Sequence, residues 1–205
     1  MNQTDIYGPY RPAMEQVLRE MLEKIEACHQ SGETMRGEKL CEHITSRIKS
    51  GCSMTEKLRK QGLEPTTFHA LRAVTDAIGI RIVCLFIDDI YENVKLMKAL
   101  PGCRVIQEKD YIRQAKPNGY RSYHLILEAE TDASDVDGHR PGHYYVEVQL
   151  RTIAMDTWAA LEHELKYKKT VRNPEMIARE LQRCANELAA CDVSMQTLKH
   201  IIRER

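Results

Sequence analysis

The sequence lacks a net charge, a long apolar run and any familiar phosphate loop, and each absence removes a class of function. Its 30 Lys and Arg residues are matched by 30 Asp and Glu. A long nucleic-acid track demands a basic excess, so no extended DNA or RNA surface is expected. No stretch approaches the ~20 apolar residues of a membrane helix, and no membrane partner is expected. The opening MNQTDIYGPYRP has neither the basic end nor the apolar middle of a secretory signal. Seven cysteines, an odd number with no CxxC spacing, argue against a disulfide framework and a zinc knuckle. A reduced cytoplasm is the expected setting. GxxxxGK(S/T), GxGxxG and HExxH are missing, as are internal repeats, low-complexity tracts and Gly/Pro/Ser-rich linkers. Phosphates, if bound, must then be held by side-chain cations and a metal.

What is present is the pattern of one α+β domain. Of the 205 residues, 42% are hydrophobic and 29% charged, which suits a globular chain with a real core. Met14, Val17, Leu18, Met21, Leu22 and Ile25 mark one face of a helix over 12–30, which SGETMRG at 31–37 should break. EHITSRIKS at 42–50 alternates His43, Thr45, Arg47 and Lys49 against Ile44, Ser46 and Ile48, a strand with one basic face. Ser53 and Glu56 have capping-box spacing for a helix over 53–61, and a short helix follows at 66–74. IGIRIVCLFI at 78–87 reads as a buried strand. A helix at 88–100 ends at Pro101-Gly102. Strands are expected at 103–112, 120–130 and 143–151, a helix at 152–168, and another opened by Pro174. This order implies a mixed, mainly antiparallel sheet of about five strands flanked by helices.

Several positions carry chemistry that packing does not require. In YYVEVQLRT at 144–152, alternation puts Tyr145, Glu147, Gln149 and Arg151 opposite Val146, Val148 and Leu150. Solvation on an open sheet face is one explanation. A carboxylate set between polar partners in a cleft is the other, since burying such a charge is expensive. In KPNGYRSYH at 116–124, Tyr120, Ser122 and His124 share one face, and Arg121, Tyr123, Leu125 and Leu127 the other. Tyr120 follows an Asn-Gly turn, where its ring can meet a planar ligand or merely pack. His124 fits a site or a hydrogen-bonded core position. Asp76 precedes the 78–87 strand and Arg81 lies inside it; they can pair with each other or serve as metal ligand and phosphate contact. Arg47, Lys49, Lys57, Arg59, Lys60, Lys109, Arg113, Lys116 and Arg121 are singly solvated charges unless partly enclosed, where an ion pair at ~4 Å strengthens from ~1 to ~4 kcal/mol. Asp76 and Glu147 are the natural Mg²⁺ ligands, because that ion takes a few carboxylates plus phosphates and water.

EHITSRIKS, VTDAIGIR, KPNGYRSYH and VEVQLRTIAMDTWAALEHELKYK, in this order from about 40 to 170, resemble the small alarmone synthetases, single-domain members of the RelA/SpoT superfamily. The resemblance implies a nucleotidyltransferase-like synthetase core at 41–170, with helical segments at 1–40 and 171–205 and no hydrolase domain. It implies pyrophosphate transfer from ATP to the 3′-hydroxyl of GDP or GTP. Asp76 would hold the bridging Mg²⁺, and Glu147 would assist and activate the hydroxyl. Arg47 and Arg81 would sandwich adenine, with Ser50, Lys49, Lys57 and Lys60 near the ATP phosphates; Arg81 and Lys57 count among the catalytic groups. Tyr120 would stack on guanine, with Lys109, Lys116, Asn118 and His124 around the acceptor and Gln149 and Arg151 supporting it. Homotetramers assembled through terminal helices and an alarmone effector are the implied partners, although intramolecular packing explains the amphipathic 12–30 and 174–205 equally well. His43 stands where relatives often carry an aromatic, and Asp156 where asparagine is frequent; either departure bears on activation by pppGpp. Toxic relatives use the tRNA 3′-CCA end or adenine nucleotides as acceptor. A silent nucleotide- or RNA-binding regulator remains the reading from another class, though it does not need both carboxylates.

Overall fold

The computed structural model describes residues 5–37, 39–167 and 173–203. After a 3-10 turn at Gly8–Tyr10 the elements are α1 (Arg11–Arg36), β1 (His43–Ile48), α2 (Gly51–Lys60), α3 (Thr67–Arg72), β2 (Ile78–Cys84), α4 (Ile87–Lys98), β3 (Cys103–Asp110), β4 (Tyr123–Thr131), β5 (Gly142–Thr152), α5 (Ile153–Tyr167) and α6 (Pro174–Arg203). The five strands form one sheet in the order β1-β2-β5-β4-β3. Only β2 and β5 pair in parallel; the other three pairings are antiparallel. The expected α+β class with its mixed, mainly antiparallel sheet is the observed one.

Alternation decides which face is covered. Ile78, Ile80 and Ile82 of β2 pair with Val146, Val148 and Leu150 of β5, and all six are buried. Each such side chain contributes about 1.5–3 kcal/mol on burial. Helix α1 lays Met14, Val17, Met21 and Ile25 onto this face, and α4 adds Ile90, Val94 and Met97. The opposite face carries Thr45, Arg47, Gly79, Arg81, Glu147, Gln149 and His124. Arg72 of α3, stacked at Tyr145, closes one end of it. Asp156 of α5, paired with Arg81, closes the other. The middle stays open.

Four local expectations change. The chain stays helical through 31–36, where the Ser31 hydroxyl is absorbed by a bond to the Ala27 carbonyl (2.9 Å), and the break comes only at Gly37, φ 69°. Ser50, not Ser53, caps α2: its Oγ accepts from the Ser53 amide at 3.3 Å, so the helix starts at Gly51. β2 stops at Cys84 because the Phe86 amide is drawn to Asp89 as the cap of α4. β4 begins at Tyr123 rather than 120, since Lys116–Tyr120 closes a turn in which the Lys116 amide donates to the Tyr120 carbonyl. The expected domain boundary at 170 and the helix end at 168 lie outside the described residues.

Candidate active site

The open face is organised as rungs across the sheet. Arg47, Gly79, Glu147, Ile126 and Gln107 are cross-strand partners on one rung; Thr45, Arg81, Gln149, His124 and Lys109 form the next. The rungs are about 7 Å apart, two residues along each strand. Strand β3 reaches this register through a bulge. Val105 pairs with buried Leu127 on the covered face, the register then shifts, and Gln107 meets Ile126 and Lys109 meets His124 on the open face. A bulge re-aims the side chains beyond it. Were Ile106 paired in plain alternation instead of bulged out, both would point into the core.

Two clefts open on this surface and share a wall. One, about 250 Å³, is lined by Thr45, Ser46, Arg47, Asp76, Gly79, Arg81, Glu147 and Gln149. The other, about 230 Å³, is lined by Lys57, Thr75, Asp76, Gln107, Lys109, Tyr111, Lys116, His124 and Glu147. Asp76 and Glu147 belong to both.

The carboxylates are held ionised by different partners. Asp76 Oδ2 accepts from Lys49 Nζ (2.7 Å) and Lys57 Nζ (2.6 Å). Burial pushes its pKa up, but the lysine hydrogen bonds and charges prevail and leave it below the ordinary value. Its second oxygen, Oδ1, is buried with no hydrogen-bond partner among the described residues. Glu147 faces His124 Nδ1 through Oε1 (3.1 Å) and accepts from Gln149 Nε2 through Oε2 (2.8 Å). Burial raises its pKa too; the hydrogen bond and charge of His124 and the Gln149 hydrogen bond outweigh burial and nearby Asp76. No Asp76–Arg81 pair forms. Arg81 instead reaches Asp156 at 3.1 Å, and its Nε is buried with no partner among the described residues. Burial and the neighbouring Arg151 and Arg47 cations lower its pKa against the pull of Asp156. Such cation crowding favours an incoming anion.

Aromatic groups gather at the second cleft: Tyr111 lines it, whereas Tyr120, expected there, lines neither cleft and packs edge-on beside Tyr111. Tyr120 Oη sits 2.7 Å from His124 Nε2 and accepts from Arg151 Nη2 at 2.8 Å. Lys116 Nζ lies over the Tyr111 and Tyr120 rings, 4.5 and 4.8 Å from their centroids. Arg151, buried, also binds Asp156 (2.9 Å) and Gln149 Oε1 (2.9 Å). A polar chain therefore runs Arg81–Asp156–Arg151–Tyr120–His124–Glu147 from one cleft to the other.

The structure does not bring every expected residue into the clefts. Lys60 is 74% exposed and pairs with Glu56 on its own helix. Ser50 is the α2 cap. Asn118 accepts from the Tyr120 amide and donates to Glu162, shaping the turn from outside. Gln149 lines the first cleft rather than the second, and Arg151 stands behind Tyr120. Arg121 and Tyr123 point away, as alternation requires: Tyr123 Oη donates to Glu108 at 3.0 Å. Gln107, Tyr111, Thr75 and Gly79 were missed. Parity from Lys109 points to Gln107 and, within the expected 103–112 strand, to Tyr111 as well, although the observed strand ends at Asp110. Outside both clefts, Asp135, Asp137 and His139 gather ligand-type atoms within 4.8 Å of one another. The 137, 139 and 143 amides and Arg72 already engage Asp135, and Arg72 also pairs with Asp137, so the cluster staples its loop.

Comparison with known proteins agrees with this geometry. A family model described as "Region found in RelA / SpoT proteins" matches residues 46–172. "GTP pyrophosphokinase YwaC" of Bacillus subtilis is 38% identical over 176 residues, 86% of this chain and 82% of that protein. The small alarmone synthetase 1 of Bacillus subtilis bound to its product pppGpp superposes with TM-score 0.78 at 31% identity, over 95% of this chain and 94% of that one. The same synthetase bound to AMPCPP gives TM-score 0.74 at 28% identity, over 94% and 95%. A match through both carboxylates and both clefts, with relatives similar along nearly their whole length, shows that the chain belongs to the RelA/SpoT family.

Proposed function

We propose that the protein is a (p)ppGpp synthetase, transferring the β,γ-pyrophosphate of ATP to the ribose 3′-oxygen of GDP or GTP. The 3′-oxygen bonds to the β-phosphorus, the bond from that phosphorus to the α-phosphate oxygen breaks, and AMP departs with that oxygen. The observation that carries this reading is the pair of clefts meeting at Asp76 and Glu147: two nucleotides side by side bring their reacting groups to the shared wall. ATP takes the first cleft, its base near Arg47 and Arg81 and its phosphates toward Lys49 and Lys57. The guanine nucleotide takes the second, its base on Tyr120 and its phosphates near Lys109 and Lys116. Transfer of this kind asks mainly for positioning and charge stabilisation, which the converging cations supply.

Asp76 and Glu147 would hold Mg²⁺, since the partnerless Asp76 Oδ1 fits an oxygen-seeking cation. When bound, that ion neutralises phosphate charge. No helix among the described residues is long and apolar enough to cross a membrane, in keeping with a cytoplasmic enzyme of the stringent response. Met195, Leu198 and Ile202 recur at helical spacing on α6 and are exposed. They suit packing against another copy in a homotetramer, and light scattering of the purified protein tests that state.

Labelled ATP and Mg²⁺ with GDP, GTP, ATP alone or tRNA provide the deciding assay. AMP release with a pyrophosphorylated guanosine product is expected; labelled tRNA with inert GDP and GTP would overturn the reading. The sites give two further outcomes. A Cβ at Gly79 meets nothing nearer than the Arg47 carbonyl at 3.9 Å, but it projects into the first cleft. Gly79→Val should keep the thermal midpoint and raise the ATP KM at least about tenfold, the cost of a displaced contact worth ~1.4 kcal/mol. Tyr120→Ala should raise the GDP KM roughly five- to hundredfold, because base–aromatic stacking contributes about 1–3 kcal/mol. Tyr123→Phe removes only the hydrogen bond to Glu108 and should leave that KM unchanged; equal effects would reduce the Tyr120 ring to packing.

A further inference from the structure

The acceptor loop is fastened to α6, a helix that contributes no lining residue to either cleft. At Gly119, φ 91°, the backbone lies so near α6 that an added Cβ would stand 2.5 Å from Ala185 Cβ and 3.5 Å from Gln182 Cα. Arg121, two residues on, donates through Nη1 to the carbonyls of Gly119 and Ala185, both at 3.2 Å, and through Nη2 to Asn186 Oδ1 at 3.3 Å. Its guanidinium thus clamps the turn and the helix together. The planar fork gives one side chain three oriented contacts that lysine cannot reproduce. A parallel tie runs through α5: Trp158 Nε1 donates to the Leu181 carbonyl at 2.8 Å, and its ring meets the Tyr120 ring edge-on, 6.3 Å between centroids. Further along, α6 is anchored to the core by Asp192 on Thr152 (2.6 Å) and Lys199 on Asp89 (2.5 Å).

We propose that α6 is a structural part of the acceptor site and that Arg121 is its positioning residue, holding the Asn118–Tyr120 turn on the Gln182–Asn186 stretch so that the Tyr120 ring is presented to the nucleotide. The proposal rests on the reading of Tyr120 as the guanine platform. It has a clear energetic logic. A turn tied only by its own hydrogen bonds would pay the ordering cost of the ring when nucleotide binds, whereas a turn clamped to a docked helix is ordered beforehand. Among the described residues, α6 supplies none of the donor-cleft lining, so the effect should fall on the acceptor far more than on the donor.

The test uses the full chain with Arg121→Met, Arg121→Lys and Ala185→Met, the last enlarging α6 where it meets Gly119 without touching either cleft. Expected are a GDP KM raised at least fivefold, an ATP KM within twofold of the parent, and a partial effect for Arg121→Lys. Trp158 is the single tryptophan and touches both partners. Its emission, excited selectively, should respond to GDP in the parent and respond less, or only at higher GDP, in Arg121→Met and Ala185→Met. Circular dichroism and the thermal midpoint identify a variant that merely unfolds; Ala185→Met then carries the test for Arg121→Met, and the reverse. Parallel loss of both KM values, or an unchanged GDP KM in the folded variants, overturns the proposal. Tyr120→Ala, measured alongside, separates the two readings. If it raises the GDP KM while the α6 variants do not, the platform stands and the clamp falls. If the α6 variants raise it while Tyr120→Ala does not, the platform falls, and the clamp as a device for presenting that ring falls with it.

Discussion

Asp76→Asn is expected to lower AMP release at least about a hundredfold, because loss even of a group that only supports a metal ligand costs 10–100-fold and Asp76 is proposed as the ligand itself. The substitution keeps the shape and removes the charge. In the parent, one carboxylate oxygen accepts from both Lys49 and Lys57 and the other is buried without a partner among the described residues. An asparagine amide would turn its one oxygen to the two lysines and put its N–H donors where the metal-facing oxygen was. Excess Mg²⁺ should therefore not restore the variant, whereas Mg²⁺ added back after chelation should restore the parent. A second readout separates this role from simple damage. In the absence of metal, the variant should bind ATP at least as tightly as the parent, because a negative charge has left the cleft and both lysines are freed for phosphate. Activity within tenfold of the parent, or weaker metal-free ATP binding, would sink the assignment. Stability follows the same carboxylate. The folded pKa of Asp76 is depressed, so its ionised form stabilises the fold fully above the unfolded value of about 3.9. That contribution is lost as pH falls through the lower, folded value. Acid unfolding of Asp76→Asn should accordingly be less steep with pH below about 4 than that of the parent.

How much of this site was legible beforehand depends on whether the signal was periodic. Glu147 and Gln149 could be placed on the open face from two-residue alternation alone, since Val146, Val148 and Leu150 demanded the other side. Arg81 announced itself as a charge inside an apolar run, yet its partner did not: Asp156 is distant in sequence and comes close only because α5 turns back over the end of β2. The Asp76 partners, on β1 and α2, were visible as cations but not as a converging pair. Alternation across 120–124 placed Tyr120 and His124 together even though strand pairing starts only at Tyr123, because the turn returns the ring to the His124 imidazole. The bulge at Ile106 was not legible, and it decides whether Gln107 and Lys109 face substrate or core. Lys60 illustrates the opposite case. It lies one helical turn beyond Lys57, and a partner on its own helix was enough to direct it away. Membership of a motif says which residue types a site needs; it does not say which of several lysines the backbone aims inward.

Glu147→Gln is expected to reduce kcat about 10²- to 10⁴-fold, the usual contribution of a positioned proton acceptor, with a smaller change in the GDP KM. As the proposed acceptor of the 3′-hydroxyl proton, Glu147 would be an unusual base. Its pKa is depressed by His124 and Gln149 despite burial, whereas a strong proton acceptor is tuned upward toward the working pH. A weak base suits this reaction if the 3′-hydroxyl keeps its proton until bonding to phosphorus is well advanced, as a loose transition state permits. Glu147 then orients the hydroxyl from the start and takes the proton late. Two consequences separate this account from early deprotonation. The acidic limb of kcat/KM due to Glu147 should fall below its ordinary pKa, about 4.3, so the parent should show no loss from this group between pH 6 and 8. The His124→Gln variant, which removes the imidazole that helps hold the pKa down, should move that limb upward while the protein stays folded. If Glu147→Gln retains a tenth of parental kcat, or if the limb moves downward in His124→Gln, the carboxylate has some task other than receiving the ribose proton.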